Sequence, residues 1–203
     1  MRWRFRYGWL FRGVAERDEL VDGKTRVKSG DVLIGIPSSG FHSNGYSLVR
    51  KVVFEHAGLS VSDGVPELNC TVGDALLRPT RIYAHTVAAA LEAVGNDNLH
   101  GIAHITGGGI ADNFERILPH NVQAVISCSA WTIPRVFQWL QRLGSVAEKE
   151  MFNVFNMGIG MIICVPPAVA DKVQSACSTP DYPAMRLGEI RSQDAEDPTV
   201  ALV

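Results

Sequence analysis

Thr106-Gly107-Gly108-Gly109 joins an alternating apolar run, residues 99–105, to a segment of helical spacing that begins at Ile110. Three glycines in succession permit positive φ and let a ligand approach the backbone with no Cβ in the way. A following helix directs unpaired amides, and the positive end of its dipole, into such a turn. An anionic group, phosphate above all, is the natural occupant. The pattern is not a P-loop, because no Gly-Lys-Ser/Thr follows, and its glycine spacing is not that of a dinucleotide fingerprint. A tight strand-to-helix turn with no ligand is the alternative.

Ser38-Ser39-Gly40-Phe41-His42-Ser43-Asn44-Gly45 is the second concentration of polar groups. It sets hydroxyls, an imidazole and a carboxamide between an apolar run and a helix start, where ligand loops collect. His42 can serve there as acid, base or hydrogen-bond donor near neutral pH. The plainer reading makes Ser43 or Asn44 a helix cap and His42 an exposed loop residue. His100 and His104 invite a metal, but on a strand they stand about 13 Å apart, four steps of ~3.3 Å. Ligands of one zinc must each come within ~2.1 Å of it, so a strand excludes that site. Asp112, Asn113 and Arg116 read as a solvated or capping face; Arg116 can alternatively pair with a phosphate.

These residues need elements to hold them. Asp31-Val-Leu-Ile-Gly-Ile-Pro37 predicts a buried strand ended by proline. Residues 46–56 have helical spacing closed by Gly58, residues 60–80 an extended character, and residues 82–94 a second helix stopped at Gly95. Strands are expected over 99–105, 122–127 and 157–165, with closing strands over 184–191 and 199–203. Helices are expected over 110–118, 134–143, 148–155 and 168–176, with Pro134 in a first turn. Trp131, Trp139, Cys128 and Cys164 read as core. Strands and helices alternate without a clean βαβ order, which predicts a layered α+β domain with a mixed sheet.

Composition sets the outer bounds. A chain of 203 residues, 46% hydrophobic and 20% charged, fits one domain or two small ones and excludes global disorder. A formal charge of −2 excludes a globally basic nucleic-acid binder. The longest apolar stretch, Met161-Ile-Ile-Cys-Val165, is far short of the ~20 residues of a membrane helix. Residues 1–12 alternate Arg2, Arg4 and Arg6 with Trp3, Phe5 and Tyr7, which suggests a strand, or an arm for nucleic acid or membrane. No apolar signal region follows. Four cysteines without a C-x-x-C pair argue against a disulfide framework or zinc ribbon and point to the cytoplasm.

Four motifs then occur in order: Ser38-Ser-Gly-Phe-His-Ser-Asn-Gly-Tyr-Ser-Leu-Val-Arg50; Leu76-Leu-Arg-Pro-Thr-Arg-Ile-Tyr83; His104-Ile-Thr-Gly-Gly-Gly-Ile110 with Asn113, Arg116 and Leu118-Pro119; and Phe155-Asn-Met-Gly-Ile-Gly-Met161. Over residues 14–203 the chain thereby resembles the C-terminal half of the phosphoribosylformylglycinamidine cyclo-ligases, or aminoimidazole ribonucleotide synthetases. The resemblance implies that superfamily's C-terminal domain fold, a mixed sheet layered with helices. It implies ATP-dependent ring closure of formylglycinamidine ribonucleotide in purine synthesis. ATP activates the formyl amide oxygen, the substrate's amidine nitrogen attacks that carbon, and phosphate leaves.

By the same resemblance His42 is the catalytic residue, with Ser39 and Asn44 beside it. Thr106, Gly107, Gly108, Gly109 and Arg116 are substrate-binding, and no metal ligand falls in this half. The family's N-terminal half binds most of the ATP and magnesium and forms a dimerising barrel. That half is expected to be absent here, residues 1–13 being atypical, so neither cofactor is expected to be held tightly by this chain. The expected partners are a phosphorylated ribonucleotide and, in the full-length enzyme, further copies of itself; no nucleic acid and no membrane are expected. His85 stands where the family more often has a basic or other polar residue. Two other readings are another ATP-using member of the superfamily, such as a selenophosphate synthetase, hydrogenase maturation factor or thiamine-phosphate kinase, and a non-catalytic module for a phosphorylated ligand or partner chain.

Overall fold

The computed structural model describes residue 16, residues 19–194 and residues 199–203. The strand suggested over residues 1–12, and the atypical segment 1–13, lie outside them. Along the chain run α1 (Gly23–Arg26), β1 (Val32–Pro37), α2 (Tyr46–Arg50), β2 (Gly64–Val65), β3 (Cys70–Thr71), α3 (Val72–Leu76), α4 (Ala84–Val94) and β4 (Gly101–His104). Then follow α5 (Gly109–Glu115), β5 (Val122–Ile126), α6 (Arg135–Gly144), α7 (Glu148–Val154), β6 (Ile159–Val165), α8 (Ala170–Cys177), β7 (Met185–Ser192) and β8 (Val200–Leu202).

Six strands form one sheet in the order β4-β6-β1-β7-β5-β8, antiparallel except for the parallel pair β5/β8. The expected mixed sheet is therefore present. Period-two alternation sorts its side chains between two cores. Leu33, Ile162 and Cys164 pack on one face with Ile110 and Phe114 of α5, whereas Ile34, Ile163 and Val165 pack on the other with Ala90 of α4 and Val173 of α8. β6 is buried at all seven positions, as its unbroken apolar run requires. A third core gathers α2, α3, α6 and α7 around Phe41, Phe137 and Phe155. Phe41 meets Phe137 edge-on at 5.0 Å between ring centroids and Phe155 at 5.2 Å. Such contacts anchor the 38–45 loop by its one large apolar residue.

Several boundaries differ from expectation. Residues 60–80 are not simply extended: β2 and β3 form a small hairpin, and Thr71 and Asp74 cap α3 reciprocally. The helix after Gly45 changes to π-helical hydrogen bonding over Lys51–His56 and ends with Ala57 N–H on the Val52 carbonyl. α5 stops three residues before Leu118, in a turn. Trp131 is only half-buried, its Nε1 donating to the Met157 carbonyl at 2.9 Å, and Cys128 is likewise only half-buried. Among the described residues no helix is long and apolar enough to cross a membrane.

At the opposite sheet end from the loops discussed next, Asp31, 1% exposed, accepts from His100 Nδ1 at 2.7 Å and from the Lys28 amide at 3.0 Å. Cys164 Sγ lies 3.7 Å from the same carboxylate oxygen. Burial, and then the charge of Asp31, push that thiol well up, so it stays protonated. His100 is thus held through Nδ1 by a buried acid.

Candidate functional site

Antiparallel pairing brings the end of β1, the end of β4 and the start of β6 to one edge of the sheet, with His104 opposite Met161 and Ile36 opposite Met161 on the other side. The 38–45 loop and the 106–109 turn therefore emerge side by side. Asn44 Oδ1 lies 3.5 Å from the point where a Cβ on Gly107 would stand.

The 38–45 loop is held from three directions. Asn156, 3% exposed, accepts from Ser38 Oγ and the Gly158 amide, both at 2.8 Å, and donates Nδ2 to the Gly40 carbonyl at 2.9 Å. Ser39 Oγ donates to the Pro79 carbonyl at 2.6 Å, and Ser43 meets Thr80 hydroxyl to hydroxyl at 3.1 Å. Neither Ser43 nor Asn44 caps α2, whose N-cap is Gly45 at φ 75° with no side-chain bond. The plainer reading of this loop is thereby set aside.

His42 is buried, 5% exposed, at φ 58°. Its Nε2 accepts the Ser39 amide at 3.1 Å. An amide can only donate, so the proton of the neutral ring sits on Nδ1, a buried atom with no protein partner. Desolvation first, then the neighbouring His104 and Arg81, lower its pKa from 6.5 to about 4. At neutral pH His42 is an uncharged hydrogen-bond donor, not an imidazolium acid.

Rings from two distant segments, Tyr83 and His104, form a chain with His42. Tyr83 lies 6.1 Å from His42 and 5.8 Å from His104, centroid to centroid. Tyr83 Oη and Arg81 Nη1 both donate to the Pro37 carbonyl, at 3.0 and 3.2 Å. The Arg81 guanidinium also covers Tyr182, 4.4 Å from its ring centroid. Burial pushes the Tyr83 phenol well up, so it stays protonated. No carboxylate pairs with Arg81, His42 or His104 among the described residues, which leaves this sheet edge electropositive. Period two was the available signal: Arg81 and Tyr83 flank Ile82, 79% exposed, and His104 shares its face of β4 with Ile102.

The glycine turn is braced from inside by Asn113. Thr106 Oγ1 donates to Asn113 Oδ1 at 2.9 Å, and Asn113 Nδ2 donates to the Gly109 carbonyl at 2.7 Å and the Gly107 carbonyl at 3.1 Å. Asn113 is buried and not the solvated residue its spacing suggested. With the carbonyls drawn inward, the Gly107 and Gly108 amides have no protein partner among the described residues. Asp112 Oδ2 lies 2.7 Å from the Cβ position of Gly108, so a carboxylate already stands over the helix end. Arg116 is not brought to the turn; it is exposed at the C-cap of α5, eight residues on and about 12 Å along the axis. No group of three or more His, Cys, Asp or Glu suited to a metal occurs among the described residues.

His42→Asn tests the buried imidazole, since Asn tolerates the left-handed backbone there. The unfolded chain binds a proton at His42 below about pH 6.5 and the folded chain only below about pH 4. Stability is therefore fully present above 6.5 and lost as pH falls through 4, by up to about 3 kcal/mol at ~1.4 kcal/mol per pH unit. Thermal melts should show a flatter pH dependence between 6.5 and 4 in the variant; parallel curves would refute the burial argument.

The family described as AIR synthase related protein, C-terminal domain, matches residues 28–201. A curated phosphoribosylformylglycinamidine cyclo-ligase from Thermoanaerobacter sp. (strain X514) is 48% identical over 178 residues, 88% of this chain and 52% of that protein. The chain spans about half the length of the curated relatives it matches. Thiamine-monophosphate kinase from Stenotrophomonas maltophilia K279a superposes over 93% of this chain and 54% of its own, with TM-score 0.61 and 15% identity. A hydrogenase maturation protein solved in complex with ATP superposes over 91% and 50%, with TM-score 0.59 and 17% identity. At those identities the two structures speak for the fold alone.

Proposed function

The chain belongs to the AIR synthase related proteins through their C-terminal domain, and on that premise we propose that it is the substrate-binding half of a phosphoribosylformylglycinamidine cyclo-ligase. The observation that carries this reading is the meeting of the 38–45 loop and the 106–109 turn, at Asn44 and Gly107, in a chain nearly half identical to curated cyclo-ligases. The whole reaction activates the formyl amide oxygen of formylglycinamidine ribonucleotide with ATP and closes the imidazole ring by attack of the amidine nitrogen. Its demands on this half are to hold a phosphorylated ribose and to polarise an oxygen that gains negative charge.

The free amides of Gly107 and Gly108 suit the ribose phosphate. Asp112 would repel an anion over Gly108, so the phosphate sits toward Gly107 and Asn44, with Thr106 bracing the turn and Gly109 opening it. Arg116 contributes only at long range. His42 offers Nδ1–H to the reacting oxygen as a neutral donor, kept in that tautomer by the Ser39 amide. Such a donor stabilises a developing oxyanion without giving up its proton. ATP and magnesium belong to the other half of the enzyme, and no step is assigned to them on these residues. The four unpaired cysteines support a cytoplasmic setting, and the complete enzyme is read as a homo-oligomer.

Gly107→Asp tests the turn cleanly, because a Cβ there meets only Asn44 at 3.5 Å and folding is spared. Formylglycinamidine ribonucleotide should raise the melting temperature of the parent chain and leave that of the variant unchanged. Ring closure should appear when the chain is combined with the N-terminal half of a cyclo-ligase. An equal thermal shift in the variant would move the phosphate elsewhere, and an assembled but inactive pair would end the cyclo-ligase reading.

A further inference from the structure

A cavity of about 300 Å³ lies between residues 38–40, the β2–β3 turn and the start of α6; neither His42 nor the glycine turn lines it. Arg78, just after α3, and Arg135, the first residue of α6, both do. Neither guanidinium has an ion pair or side-chain hydrogen bond among the described residues. The cavity's one carboxylate, Glu67, is already engaged by Arg142. α6 adds no acid in its first turn and no side-chain cap, so Glu67 is the one carboxylate on the wall. Leu68, Val136 and Tyr182 supply apolar surface beside them. Two unpaired guanidiniums over an apolar wall are a fork for a doubly charged oxyanion attached to something that prefers to leave water. The volume stands at the lower end of small-molecule pockets.

We propose that this cavity binds a phosphomonoester carrying a ring-sized body, with Arg78 and Arg135 on the phosphate and the body against Leu68, Val136 and Tyr182. The site is separate from the glycine turn and does not rest on the cyclo-ligase reading.

Calorimetric titration of the chain with inorganic phosphate, ribose 5-phosphate and adenosine 5′-monophosphate at low salt tests this. The nucleotide should bind at least tenfold more tightly than inorganic phosphate. Arg78→Ala/Arg135→Ala should weaken nucleotide binding at least tenfold. Both arginines are exposed, so its melting temperature should match the parent's. Arg50→Ala/Lys51→Ala, which removes the same charge from the exposed side of another helix, should bind as the parent does. Equal affinity for the three ligands, or undiminished binding in the Arg78/Arg135 variant, overturns the proposal. So does an equal loss in the Arg50/Lys51 variant, while loss in Gly107→Asp would assign the nucleotide to the glycine turn and overturn it too.

Discussion

Gly109→Ala should lower the melting temperature by roughly 10 °C, the largest effect expected of a single methyl added at any described glycine. Gly109 has φ 69°, where an L side chain already costs about 1 kcal/mol. Its Cβ would stand 1.8 Å from the Phe152 carbonyl oxygen and 3.0 Å from that residue's carbonyl carbon. Both are backbone atoms of α7, which cannot rotate aside as a side chain can. Relief requires α5 and α7 to separate, opening the contact between two cores. A total near 3 kcal/mol is expected, at 2–4 °C per kcal/mol for a domain of this size. Gly107→Ala, two positions away in the same turn, should melt within a degree or two of the parent. Calorimetric melts of the two variants check the contrast, and a Gly109→Ala protein as stable as Gly107→Ala would refute the close approach.

Gly160→Ala should disturb the site more than the fold. A Cβ on this β6 residue would stand 1.9 Å from Tyr83 Oη and 2.8 Å from His42 Cε1. The phenol must leave the Pro37 carbonyl, and the imidazole must move with it. Losing that buried hydrogen bond and forcing two rings off their seats should cost about 2–3 kcal/mol. The sharper readout is His42 itself. Displaced from its dry, electropositive surroundings, its pKa should climb from about 4 back toward 6.5, followed by NMR titration of the ring. An unchanged titration would mean that the absence of a side chain at 160 is not what seats the two rings.

Much of this architecture was legible in the residues. The strand 157–165 announced itself through an unbroken apolar run, and the helix at 135–144 through its flanking proline and glycine, because those signals are local. The 38–45 loop and the 106–109 turn were also visible as polar and glycine-rich interruptions. What escaped was whatever depends on partners distant in sequence. Nothing near His42 shows that its ring is buried, since Tyr83 and Gly160, which stand against it, come from two other segments. Asn113 falls on what reads as a solvated or capping face, because helical spacing cannot see that the turn before it needs an internal hydrogen-bond donor. The small hairpin at residues 64–71 is two residues per strand, too short for alternation to register. Arg78 and Arg135 are each an ordinary surface cation until the cavity between them is drawn.

Asn156 has a bearing on when this site comes into being. It ties itself to Ser38 across 118 residues, and β1 lies between two strands that both follow it by more than 120 positions. During synthesis at ~5–20 residues per second, the early loop must wait on the ribosome for several seconds before its clamp exists. His42 and its neighbours are thus present in the nascent chain long before they are arranged. Any helper that shields exposed segments at that stage would meet the 38–45 loop as unstructured peptide, and its arrangement would follow only once β6 and β7 have emerged.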